Sequence, residues 1–422
     1  QVFGGFVAIG VILAWFFTVT LLPAYFMSLP DKALHDFGAR QRSDNGEADQ
    51  SWLGRMLRTA GPYAGHHAKL VLAGTLLLLV WAGVGIAKIE INDNPIKWFE
   101  PGHEIRVADD VINERFAGSY MAYLNLKPAK DASADNQPFK QPEWLNYLSN
   151  MRADLAQEHD VIGKVSGLGD IVKTVHRELF GKQDAYRIPD SANGVAQTVL
   201  TFQNSHRPDD VYTFTTPSYD QTTLWFQLKS GDNKDMQKVE RVVADYMEDN
   251  PPPAALEANW FGLTYINKVW QEKMVTGMLK AFLGSFVVIL ILTSLLFRSP
   301  SWGVLAMVPL TVTVATIYGA VGWVGKDYDM PTAVLSSLSL GLAVDYAIHF
   351  LARSREIFGR CGDWESTLRT MYEEPGRAIT RNVIVVGVGF LPLLAAHLVP
   401  YQTVGTLISS ILLLAGATSL IL

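Results

Sequence analysis

Cysteine is nearly missing from this chain: Cys361 is the single one among 422 residues. No intrachain disulfide can brace it, so any water-exposed part must stand on packing alone. Charge is also scarce, with 18% Asp, Glu, Lys and Arg and a formal net charge of −6. That balance offers no basic surface to a nucleic-acid partner. The patterns that announce enzyme chemistry are missing too. There is no G-x-S-x-G elbow, no H-E-x-x-H pair and no Walker A lysine loop, hence no visible nucleophile, metal centre or phosphate cradle. His103, His159, His176 and His206 are scattered without metal-ligand spacing. We expect no enzyme, no metal and no cofactor.

Apolar sequence is what the chain has in excess. Hydrophobic residues make up 49% of it and gather in long runs at 2–29, 70–87, 274–297, 302–325, 330–352, 380–400 and 403–422. A helix needs about 20 such residues to cross a bilayer. Between the second and third runs lies a polar stretch, 89–270, with 27 acidic and 18 basic residues. The fold class predicted is a membrane protein: an α-helical bundle of seven spans with one large α/β domain outside it.

The division is then 1–29, a transmembrane helix; 30–69, a linker; 70–88, a second span; 89–270, the large domain; and 271–422, five further spans. An amphipathic segment is expected at 355–379, where Trp364, Leu368 and Met371 share a face before Pro375-Gly376 ends the helix. Basic residues cluster in the linker (Lys32, Arg40, Arg42, Arg55, Arg58, Lys69) and from Arg353 to Arg381. By the positive-inside rule both segments are cytoplasmic, and alternation then puts 89–270 outside. The stretch around 38–50 is polar enough to be expected mobile.

Within 89–270, a polar turn should lead into a helix, and Tyr120–Lys127 and Thr222–Lys229 alternate as strands. A short strand is expected at Val161–Val165, with helices at 142–159, 170–180, 192–202 and 233–248, before Pro251-Pro252-Pro253. These lengths suit α/β sandwiches of the ferredoxin-like kind. Trp98, Phe99, Trp225 and Phe226 could line a tunnel or simply pack a core.

The first and last spans resemble each other 401 residues apart, with Gln1 on Gln402, Gly4 on Gly405, Ala14 on Ala415 and Leu21 on Leu422. No signal peptide is visible, and both ends fall inside or beside apolar runs. A piece of a longer, duplicated protein is expected, with its site between halves.

Asp345 is the only formally charged residue from Met330 to Ala352. A carboxylate at that depth costs roughly 2.5–3.5 kcal/mol, so it should face a protein interior and carry a function. Ser337, Gly341, Asp345 and His349 recur every four residues and share a helix face. Small side chains at Ser337 and Gly341 would admit a neighbouring helix around the relay. Tyr346 adds a hydroxyl, and His349 is an accessory candidate.

The segment GLAVDYAIHFLAR (341–353) resembles the fourth- and tenth-helix motif of the resistance-nodulation-division (RND) superfamily. It is most similar to the branch holding the mycobacterial large membrane proteins (MMPL) and the hydrophobe/amphiphile exporters, hopanoid transporters included. EEPGRAITRN (373–382), GFLPLL (389–394) and NDNPIKWF (92–99) agree with it in order. The resemblance implies a twelve-helix, two-halved transporter of the bacterial inner membrane with periplasmic porter-like domains. This chain would supply helix six onward, and the N-terminal half would be its missing partner. It also implies that Asp345 and Tyr346 couple proton antiport to export of a hydrophobic or lipid substrate. Membrane lipids and protons are then partners; periplasmic proteins and a homo-oligomer stay open. The alternative is a sterol-sensing-like lipid-binding or regulatory module without transport. No residue names the cargo.

Overall fold

The computed structural model describes residues 2–30, 52–129, 137–158 and 160–422. Seven helices among these are long and apolar enough to span a membrane. The first, α1 (Val2–Ser28), is exposed over residues 4–28. A short α2 (Trp52–His66) precedes the second span, α3 (Ala68–Ile86). The polar stretch around 38–50 lies outside the described residues.

Glu104–Arg115 (α4) opens the region between the spans, and a four-stranded antiparallel sheet follows. Its strands are β1 (Tyr120–Pro128), β2 (Ile162–Ser166), β3 (Thr222–Leu228) and β4 (Leu256–Phe261), in spatial order β2-β3-β1-β4. Helices α5 (Pro142–Glu158), α6 (Leu168–Phe180), α7 (Ala192–Gln203) and α8 (Asn233–Asp249) fill the connections. The chain order is βαββαβ with extra helices before β3, the ferredoxin-like arrangement.

Strand alternation decides what the sheet buries. Ala122, Leu124 and Leu126 of β1 and Leu224, Phe226 and Leu228 of β3 turn to one face. There they join Leu145, Leu148, Met151 and Leu155 of α5 and Met236, Val239 and Val243 of α8 in one core. Phe226 therefore belongs to the core. Trp225 lies on the opposite face, its ring 5.2 Å from both Tyr123 and Phe214.

After β4, Gly262 turns the chain at φ +98°, where a Cβ would meet the Tyr123 ring at 2.5 Å. The helix that starts there, α9 (Leu263–Phe297), is unbroken for 35 residues. The sequence places the end of the large domain at 270 and the start of the apolar run at 274; instead the helix already begins at Leu263, so the span reaches directly into the sheet, at about 1.5 Å per residue. The remaining spans are α10 (Pro300–Val324), α11 (Met330–Cys361), α12 (Trp364–Gly389) and α13 (Val399–Ile421).

Helix α12 corrects another expectation, since it does not end at Pro375-Gly376. Proline removes one backbone donor, but packing can hold a helix through it. Here Met371 and Tyr372 are buried just before the proline, and the Tyr372 hydroxyl donates to the Leu420 carbonyl of α13. Helix α2 packs on the Leu368 part of the amphipathic face, where a Cβ on Gly65 would touch Leu368 at 3.1 Å, while Trp364 stays half exposed.

Close helix approach is concentrated between α3 and α10. A Cβ on Gly322 would fall 1.8 Å from the Gly85 carbonyl oxygen, and one on Gly319 would fall 2.5 Å from Ala82 Cα. These two backbones touch. The Trp323 indole N–H, 3.0 Å from the Trp81 carbonyl, locks the same crossing.

Candidate functional site

Helix α11 carries the sequence-predicted residues, and its start is strongly fixed. Asp329 caps it, accepting the Thr332 backbone N–H at 3.0 Å and the Thr332 hydroxyl at 2.6 Å. Lys326 Nζ holds the other Asp329 oxygen at 2.6 Å. A cap of this kind contributes about 1 kcal/mol and sets where the helix begins. From there the helical period decides which way each side chain points.

Thr332, Ala333, Leu335, Ser336, Ser339, Leu340, Ala343, Val344, Tyr346 and Ala347 turn into the bundle. The face of Ser337, Gly341, Asp345 and His349 turns out of it. Asp345 is 64% exposed and His349 70%, their Oδ1 and Nε2 separated by 3.6 Å. Ser337 is half-buried, and a Cβ on Gly341 would meet nothing within 4 Å. A carboxylate on the bundle interior was expected; within this chain it stands on the outer face. The physical reason is the helical period, because consecutive side chains diverge by about 100°. Tyr346, only 4% exposed, is therefore part of the apolar core while Asp345 is not.

A second polar constellation sits where the sheet domain meets the spans. Asn92, Asp93, Asn94 and Asp232 are all buried there. Asp232 accepts from Lys97 Nζ at 2.6 Å, Asn94 Nδ2 at 3.0 Å and Asn92 Nδ2 at 3.2 Å. Asn92 Nδ2 also donates to Asp327 at 2.7 Å, and Asn92 Oδ1 accepts the Asn233 backbone N–H at 3.0 Å. Asp93 takes the Trp98 indole N–H at 2.7 Å, and the Asn267 amide reaches the Asp93 carbonyl at 3.3 Å. Backbone pairing adds to this, with Tyr328 N–H donating to the Glu90 carbonyl at 2.8 Å.

Sequence reading did not single out this cluster as a site. Its members come from 92–97, 232–233, 267 and 327, and no local period connects them. The one available signal was the compact polar run Asn92-Asp93-Asn94 beside the end of an apolar span.

Burial alone would raise the Asp232 pKa, but Lys97, Asn94 and Asn92 outweigh it and hold the carboxyl below its ordinary 3.8. Burial has the opposite outcome at Asp93, whose pKa is raised despite the Trp98 bond. A depressed folded pKa means that Asp232 contributes stability above 3.8 and loses it as pH falls through the folded value. Asp232→Asn should therefore lower unfolding stability by about 2 kcal/mol at neutral pH, the scale of charge-assisted hydrogen bonds. The deficit should close at pH values below 3.8. Thermal unfolding of the detergent-solubilised chain from neutral to acidic pH measures both, and a deficit unchanged by acid would show that the charge is not its source.

Comparison with known proteins agrees with a chain that spans the membrane. A putative membrane protein of Methanocaldococcus jannaschii is 24% identical over 349 residues, which cover 82% of this chain and 86% of that protein. The family model described as the MMPL family matches residues 139–422, taking in most of the sheet, Asp232 and every span from α9 to α13. With seven helices suited to crossing a membrane and a match over most of its length, the chain is a membrane protein that belongs to the MMPL family.

Proposed function

We propose that this chain is part of a proton-motive-force-driven exporter of a hydrophobic or amphiphilic molecule of the lipid class, with Asp345 as the proton-coupling group. The observation that carries the reading is the outward Asp345 on a membrane-spanning helix of an MMPL-family protein. Left against lipid, the charged form would cost roughly 2.5–3.5 kcal/mol. Another protein surface over the face of Ser337, Gly341, Asp345 and His349 removes most of that cost. The N-terminal half implied by the family resemblance is the proposed cover. Gly341 leaves room for it.

Protonation then changes the face from charged to neutral. A conformational change follows only if two arrangements of the covered face differ in their affinity for the proton. Tyr346 takes a different part, because its ring is packed in the core and holds α11 in place. Its sequence neighbour carries the proton.

Orientation follows from the basic residues. Arg298, Arg353, Arg355, Arg360, Arg377 and Arg381 lie toward the span ends away from the sheet domain. By the positive-inside rule this pattern supports a cytoplasmic assignment of that side, and with it our reading of the sheet domain as periplasmic in a bacterial inner membrane. The deciding experiment follows efflux of a fluorescent amphiphile from cells making the intact protein, before and after a protonophore. Export should collapse with the gradient. Export that survives it would sink proton coupling, and lipid binding without export would favour the regulatory alternative.

A further inference from the structure

The junction cluster joins the starts of two helices with different jobs. Helix α11 carries Asp345; helix α8 lies under the sheet and contributes Met236, Val239 and Val243 to its core. Asn92 lies between them. Its Nδ2 reaches Asp327, two residues before the α11 cap, and also Asp232, the residue before α8. Its Oδ1 takes the first backbone N–H of α8. A primary amide has two donors and one acceptor oxygen, and all three functions are in use here. Neither an aspartate nor a leucine could satisfy two carboxylates and an N–H together.

The sheet domain has a separate, stiffer attachment. Helix α9 runs without interruption from the end of β4 into the membrane. One rigid attachment only carries the domain along with α9. A second attachment, to a different span, converts relative movement of α9 and α11 into rotation of the domain.

We propose that Asn92 is that second attachment, the pin by which movement of the Asp345 helix is passed through Asp327 and Asp232 to α8 and the sheet. This rests on Asp345 being the coupling group. It assigns a positioning role to Asn92, Asp232 and Asp327, none of which touches the proton or the cargo. Lys97 is half exposed and neutralises Asp232 from the solvent side. That leaves Asn92 to bridge the two carboxylates.

The test uses the intact protein in phosphatidylethanolamine/phosphatidylglycerol vesicles, spin-labelled at the native, exposed Cys361 and at Asp249→Cys. These positions report the far ends of α11 and α8. With the pin intact, Asp345→Asn should shift the distance between labels, because the amide mimics the protonated acid. Asn92→Asp places a carboxylate against Asp232 and Asp327 and should abolish the shift. Adding Asp232→Asn and Asp327→Asn to it restores both donor–acceptor pairs with reversed polarity and should recover the shift, a non-additivity expected only of residues in contact. Asp190→Asn, in the exposed Arg187–Asp190 pair, should leave the shift unchanged.

The shift surviving in Asn92→Asp would overturn the pin while leaving the role of Asp345 standing. Loss of the shift in Asn92→Asp without recovery in the exchanged set would also overturn it, since general damage to the fold then suffices. No shift in Asp345→Asn with Asn92 intact would overturn the Asp345 reading, and the pin with it.

Discussion

Asp345→Asn should stop proton-dependent export while leaving the chain as stable as before. The two effects separate because of where the side chain lies. Among the described residues its ionic neighbour is His349 at 3.6 Å, and the carboxylate is mostly exposed. An exposed pair four residues apart on a helix contributes about 0.2–0.5 kcal/mol, so the substitution removes little. Function is another matter, since an amide cannot take up and release a proton. Export should fall to background, and the protonophore should have no further effect. Tyr346→Phe gives the contrast. It keeps the buried ring and loses only the hydroxyl, so most of the export rate should remain. Amphiphile efflux and thermal unfolding, measured on both variants, check the pair. Full export by Asp345→Asn would remove the carboxylate from the mechanism.

Gly322→Ala should be among the most destabilising single changes available to the membrane bundle. The added methyl would lie 1.8 Å from the Gly85 carbonyl oxygen and 2.6 Å from its carbon. Overpacking typically costs about 1–3 kcal/mol. The upper end is expected here because the obstacle is backbone, which has no rotamer to escape into. Helices α3 and α10 must separate, breaking the Trp323 to Trp81 carbonyl bond and the stacking of those indoles at 6.2 Å. In the membrane no hydrophobic drive restores the contact, because lipid competes for it equally well. Gly341→Ala is the control: its methyl meets open space, and alanine is the better helix former by about 1 kcal/mol. Unfolding midpoints in detergent should fall for Gly322→Ala and hold or rise for Gly341→Ala. Equal midpoints would mean that α3 and α10 do not touch backbone to backbone.

Much of the fold could be read from the chain because its signals are local. Seven apolar runs of span length correspond to seven helices of span length among the described residues, since a bilayer sets a length that sequence must match. β1 and β3 were visible for a similar reason, as each buries alternate residues on one face. β4 gave no such signal. It is an edge strand whose side chains are almost all exposed or half-exposed, so no alternation is imposed on it. The continuity of α9 through 263–274 and of α12 through Pro375 was missed because each depends on neighbours. Packing against the sheet and against α13 decides there what local propensity leaves open.

Sequence by itself determined that Asp345 shares a helix face with Ser337, Gly341 and His349, because helical spacing is a property of the backbone alone. Only the tertiary structure decided which way that face turns. The opposite face of α11 is the more apolar one and took the bundle interior, leaving the carboxylate outside and Tyr346 within. Tertiary structure alone also brought Asn92, Asp232 and Asp327 together, across separations of 140 and 235 residues. Hydrogen bonds at such range leave no period in a sequence. They exist only once the sheet domain and the spans have been folded against each other.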